Sequence, residues 1–93
     1  MSTEQLVTLI QTHANLVQIA SEYIPLTESR RIFKGPCPFH SDQTNSLMIS
    51  PEKNHFKCFG CGIDGGPLEF VMKVKGITLQ EALTSLASAV NIA

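Results

Sequence analysis

Apolar positions along the chain change their spacing twice. In the first 24 residues they recur at helical intervals. Leu6, Leu9, Ile10 and His13 fall on one helical face, and Leu16, Ala20, Tyr23 and Ile24 fall on another. Ser2 with Gln5, then Asn15 with Gln18, has the spacing of helix-start capping pairs. Two short helices are expected, over about 3–13 and 15–24, the second closed by Pro25. From about 25 to 64 the apolar pieces shrink to Ile32-Phe33, Leu47-Met48-Ile49 and His55-Phe56. Turn-rich stretches separate them: Glu28-Ser29, 41–45 and 50–54. This pattern predicts a small antiparallel sheet built of hairpins. The unbroken run Leu47-Met48-Ile49 predicts a strand buried on both faces. Helical spacing then returns. Gly65-Gly66-Pro67 opens a helix over about 67–75 that stops at Gly76, and Thr78 with Glu81 opens another over about 78–90. Leu79, Ala82, Leu83, Leu86 and Val90 stripe its inner side. The fold class is therefore α+β, with short helices flanking a central ribbon. At 93 residues the chain suits a single domain over 1–93.

Composition sharpens this picture at three points. A chain this short buries a modest core, and small domains often add a structural metal. The cysteine count is three, an odd number that argues against a disulfide framework. The N-terminus lacks a basic stretch followed by a long apolar run, and no apolar stretch is long enough to span a bilayer. The expectation is a cytoplasmic protein without membrane contact, whose thiols stay reduced and are available to a metal.

The cysteines fall in two knuckles. Cys37 and His40 stand three positions apart, as do Cys58 and Cys61. Two ligands at that spacing converge from one tight turn, and two such turns supply the four ligands of tetrahedral zinc. The intervening residues suffice for one hairpin that brings the knuckles together. Gly60 and Gly62 flank Cys61 and permit positive φ, and Pro38 stiffens the first turn. His55 is the rival for the fourth position, but it lies in a strand outside either knuckle. A redox Cys-x-x-Cys pair would call for a surrounding βαβ pattern, which is absent. Four protein ligands close the shell and no general base stands beside them. The expectation is one structural Zn²⁺ on Cys37, His40, Cys58 and Cys61.

The stretch 31–40, Arg-Ile-Phe-Lys-Gly-Pro-Cys-Pro-Phe-His, resembles the start of the CHC2-type zinc ribbon of bacterial DnaG-type DNA primases. Ser50-Pro51-Glu52-Lys53, Cys58-Phe59-Gly60-Cys61-Gly62, Gly65-Gly66 and Glu69-Phe70-Val71-Met72 continue the likeness. Ile19, Tyr23-Ile24-Pro25-Leu26, Gly76 and Glu81-Ala82 fit as well, so it spans about 15–92. Three departures from the family pattern stand out. Gln43-Thr44-Asn45-Ser46 replaces a lysine and Thr-Pro-Ser, Leu47 stands where an aromatic is common, and Arg30 where glycine is frequent. The resemblance implies a module that contacts single-stranded template DNA and helps choose where primer synthesis starts. It implies a polymerase domain as partner, in the same chain or another; a replicative helicase is a further candidate partner. The nucleotidyl-transfer chemistry would belong to that polymerase domain. This chain has no acidic cluster able to hold two catalytic Mg²⁺ ions, so by itself it is expected to be non-catalytic.

Charge separates two readings. The net charge is −1, yet residues 30–58 carry five basic side chains against two acidic ones. Three thiolates around one Zn²⁺ subtract about one charge from that surplus. Single strands are held by basic grooves and stacking aromatics. The candidates for DNA contact are Arg30, Arg31, Phe33, Lys34, Lys53, His55, Lys57 and Phe59, which interleave both kinds. Strand alternation is expected to place Arg31 and Phe33 on one face. Phe39 and Phe70 are expected in the core, and Lys73 and Lys75 as solvated side chains. The competing reading is a zinc-ribbon interaction module that docks a helicase or polymerase without reading DNA, which the low overall charge favours. A metal-handling or redox protein is a third class, disfavoured by the closed ligand shell.

Overall fold

The computed structural model describes residues 2–39 and 45–89. Two helices, a five-stranded antiparallel meander and two further helices follow one another along the chain. Helix α1 spans Thr3–His13. The Ser2 hydroxyl accepts from the Gln5 amide at 3.2 Å, and the Gln5 side chain accepts from the Ser2 amide at 3.0 Å. Helix α2 spans Leu16–Ser21, with the Asn15 side chain accepting from the Gln18 amide. It ends earlier than the expected 24. The residue before a proline is pushed away from helical geometry. The chain therefore tightens into a turn in which the Tyr23 and Ile24 amides both donate to the Ala20 carbonyl.

The strands are β1 (Thr27–Ser29), β2 (Ile32–Gly35), β3 (Leu47–Ser50), β4 (His55–Cys58) and β5 (Asp64–Gly65), paired in sequence order. Glu28 and Ser29, expected in a turn, belong to β1. The turn is Arg30-Arg31, both with positive φ (50° and 68°). Such a two-residue turn matches the twist of the flanking strands, which is why it forms despite the cost of left-handed arginines. Arg31 is thus not a strand residue and shares no sheet face with Phe33.

Register sorts every strand residue. Directly paired residues lie on the same face. One row runs Thr27, Lys34, Met48, Lys57, Asp64; the next runs Glu28, Phe33, Ile49, Phe56, Gly65. The second row, with Leu47 and Cys58, faces the helices: Leu47, Ile49, Phe56 and Cys58 are fully buried. Strand β3 accordingly alternates, with Met48 only half-buried between Leu47 and Ile49. The expectation of burial on both faces was wrong. A single helical layer packs on the sheet, so an apolar Met48 on the outer face mimics a buried strand in sequence.

Helix α3 (Pro67–Lys75) packs between the sheet and helices α1 and α4 (Leu79–Ala89). Phe70 joins Leu16, Ala20, Leu47, Ile49 and Phe56 in one cluster, while Leu68 and Val71 join Ile10, Leu83 and Leu86 in another. Glu69 accepts from the Gly66 amide and from the Gln11 side chain, both at 2.7 Å, so the start of α3 is fastened to α1. Position 90, expected in the last helix, lies outside the described residues. No helix among the described residues is long and apolar enough to cross a membrane.

Candidate metal centre and nucleic-acid interface

In an antiparallel meander alternate connections gather at the same end. The β2–β3 and β4–β5 connections meet at one end of the sheet, and they carry the cysteines. Cys37 follows β2, Cys58 closes β4, and Cys61 lies three residues on. Gly35 makes the approach of β2 feasible, because a Cβ there would stand 2.5 Å from the Pro25 carbonyl oxygen. The β4 turn closes through the Gly62 amide donating to the Cys58 carbonyl at 2.8 Å, with Gly62 at φ 79°. Phe39 carries the first knuckle into the core, its ring 5.9 Å from Phe56 and 5.5 Å from Phe70.

The three sulfurs lie within 4.8 Å of one another. Cys37 Sγ and Cys61 Sγ are 3.9 Å apart, far beyond a disulfide and close to the edge of roughly 3.8 Å that Zn–S bonds of about 2.3 Å define. The Gly60 amide donates to Cys58 Sγ at 3.3 Å, a contact that stabilises thiolate charge. Cys37 and Cys58 are buried and Cys61 is exposed. Burial above all pushes the Cys37 thiol up to about 12, with the neighbouring Cys58 and Cys61 sulfurs adding to the rise and a backbone hydrogen bond at Phe39 opposing it. A buried thiol that resists ionisation alone, crowded by two further sulfurs, is suited to a divalent cation that draws off its proton. The donor set fits structural zinc: soft sulfur ligands at tetrahedral spacing, held by two knuckles. His40 lies outside the described residues.

The candidate DNA-contacting residues separate by face. Lys34 and Lys57 stand in the outer row with Met48 between them. His55 and Lys53 are exposed beside that row, and His55 Nε2 lies 3.9 Å from Asp64. Phe59 is 65% exposed, with Lys57 Nζ 5.5 Å from its ring centroid. Arg30 and Arg31 project at the opposite end of the sheet from the cysteines, the end that also bears the β3–β4 turn and Lys53. Phe33 departs from this group. It is half-buried on the inner face, paired with Ile49 and packed on the core, on the side away from the outer-face lysines. Phe56, in the same inner row, is fully buried.

Two features escaped the sequence reading. Ile32, Met48 and Ser50 line the outer face beside the lysines. Treating Leu47-Met48-Ile49 as an alternating strand would have found Met48 and Ser50. Asn54, at φ 53°, donates through Nδ2 to the Gln11 and Ala14 carbonyls, and its Oδ1 accepts from the Leu16 amide at 3.0 Å. It clamps the β3–β4 turn to the α1–α2 junction. Only its turn-forming residue type marked it in the sequence.

The family model of the CHC2 zinc finger matches residues 2–93. DNA primases of Geobacillus stearothermophilus and Clostridium acetobutylicum are 37% and 39% identical to the chain, each over 89 residues. Each match covers 96% of this chain and 15% of the relative. The primase of Thermotoga maritima is 34% identical over 92 residues, 16% of its own length. The crystal structure of the zinc-binding and RNA polymerase domains of Aquifex aeolicus primase is similar with a TM-score of 0.85 and 35% identity. The match covers 98% of this chain and 22% of that one. The chain thus spans only 15–16% of the length of the three primases matched in sequence and coincides with a zinc-binding region. With its clustered cysteines and helix-flanked antiparallel ribbon, the chain belongs to the CHC2 zinc finger family.

Proposed function

We propose that this chain is the zinc-bearing, template-contacting module of a DNA primase. In this reading residues 1–93 form one domain, and His40 completes the shell of Cys37, Cys58 and Cys61 around one structural Zn²⁺. The module takes no chemical step itself. It holds single-stranded DNA for a polymerase domain in the same chain or another, and helps select where an RNA primer begins during replication. Residence in the cytoplasm and contact with a replicative helicase belong to the same reading.

The observation that carries it is the outer sheet face. Lys34 and Lys57 lie there, with Lys53 at one end and the exposed Phe59 ring at the other, beside the cysteine-bearing turn. Cations that track phosphates and an aromatic on which a base stacks are the two requirements of single-strand binding. Arg30 and Arg31 extend the basic track beyond the far end of the strands. Asp64 and the modest net charge make the affinity of the module alone weak.

The test is fluorescence anisotropy of the zinc-loaded chain with labelled single-stranded DNA at low and moderate salt. An Arg31→Ala/Lys57→Ala variant is measured alongside. The expected result is affinity that falls with salt and falls further in the variant, with the salt slope reduced by about one per lost phosphate contact. Absence of binding at high micromolar protein would instead favour a module that docks a helicase or polymerase.

A further inference from the structure

The outer face is not flat. Beside Lys53 and Lys57 it holds a shallow concavity of about 210 Å³. Ile32 and Met48 line it, both half-buried although they stand on the side away from the core. Ser50 and His55, directly paired across β3 and β4, border it on one side. Phe59 borders it on the other, with the Lys57 ammonium near its ring.

These side chains divide into three chemical kinds. Ile32, Met48 and Phe59 offer apolar and π surface to a flat ring. The Ser50 hydroxyl and His55 imidazole offer hydrogen-bonding groups at one border. Lys34, Lys53 and Lys57 offer charge to phosphates around it. Unstacked bases are held in this manner, ring against aromatic or apolar side chains and edge against polar ones. At about 210 Å³ the concavity has room for a base ring.

We infer that this concavity seats a single unstacked base of the bound strand. Phe59 and Met48 lie against its ring, and Ser50 and His55 meet its edge. The inference rests on the single-strand reading above and adds to its Phe59 platform a defined hollow, floored by Met48 and edged by Ser50 and His55, for one base. It also gives the outer-face apolar residues Ile32 and Met48 a functional position, beside a Ser50 hydroxyl that accepts from the Lys53 amide at 3.3 Å and keeps its own proton to donate.

The experiment compares two probes of equal length and phosphate number: a twelve-nucleotide thymidine oligomer and a twelve-unit abasic oligomer. Both are titrated by anisotropy into the zinc-loaded chain across a salt series. The base-bearing probe should bind about tenfold tighter, since one stacked base supplies that much. Phe59→Ala and Met48→Ala should each erode the preference severalfold while leaving the salt slope unchanged. Lys34→Ala should weaken both probes equally and lower the slope. Zinc content and circular dichroism verify each fold. Phe59 is exposed, so Phe59→Ala carries the test even if Met48→Ala fails to fold. Equal, salt-dependent binding of both probes would overturn the base seat, and with it stacking on Phe59, while leaving the phosphate contacts of the single-strand reading standing. Binding of neither probe would overturn both.

Discussion

The two faces of one sheet use the same strands for opposite purposes. Inward, Leu47, Ile49, Phe56 and Cys58 are fully buried against α2 and Phe70. Outward, one residue away along each strand, Met48, His55 and Lys57 meet solvent or line a shallow hollow. The inner face is fixed by packing and by the metal at its end; the outer face is free to carry charge. The meander is four residues long in its central strands. A sheet this small cannot be stable by strand pairing alone. Its inner face must therefore do nearly all the stabilising, which leaves the outer one available for binding.

Breaking the inner face should have the largest effects. Removal of zinc with a strong chelator, or Cys58→Ser, should unfold the ribbon, because structural zinc contributes on the order of 10 kcal/mol of apparent binding energy to such folds. The check is loss of the strand signal in circular dichroism. Helices α1 and α4, whose cluster contains no cysteine, should lose less. The same chemistry sets a pH dependence. Zinc must displace the proton that burial holds on the Cys37 thiol, which otherwise leaves only at about 12. Metal affinity should therefore fall as pH falls, by about tenfold per unit for the Cys37 proton. Competition with a chromophoric chelator of known pH behaviour measures this.

Phe56→Ala, with zinc kept bound, should cost about 4 kcal/mol in denaturant unfolding, as deletion of a fully buried ring does. Asn54→Ala should cost about 2 kcal/mol. It strips partners from two carbonyls and an amide, and it leaves alanine in a left-handed conformation. Asn54→Gly would separate the two causes, since it loses the hydrogen bonds but not the backbone freedom. On the outer face, Lys34→Ala and Lys57→Ala should change stability by less than about 0.5 kcal/mol. Their effect should appear in DNA affinity and its salt slope. An outer-face lysine that proved as costly to stability as Phe56 would erase the distinction between the faces.

The same contrast explains what the sequence disclosed. The knuckle pairs are local and rigidly spaced, so Cys58 and Cys61, and Cys37 as their partner, were legible without a structure. Helix starts were legible because Ser2, Asn15 and Thr78 cap by local chemistry. Which strand residue points outward depends on pairing register, a long-range property. That is why Phe33 seemed to share a face with Arg31, Met48 seemed buried and Arg31 seemed a strand residue. The Arg30-Arg31 turn was hidden for another reason. Arginine is not a turn-former, and the pair turns there because strand pairing on either side imposes it. Asn54 acts across 38 to 43 positions of sequence, a distance over which no local pattern reports.

The most direct test of the division between faces is a ¹H–¹⁵N correlation spectrum of the zinc-loaded chain, titrated with single-stranded DNA. The account predicts shifts confined to the outer face and its margins: Arg30, Arg31, Lys34, Met48, Ser50, His55, Lys57 and Phe59. The amides of α1 and α4 should stay in place. Shifts centred instead on the groove of about 540 Å³ lined by His13, Tyr23, Lys75 and Ser85 would contradict it, as would a spectrum that DNA leaves unchanged.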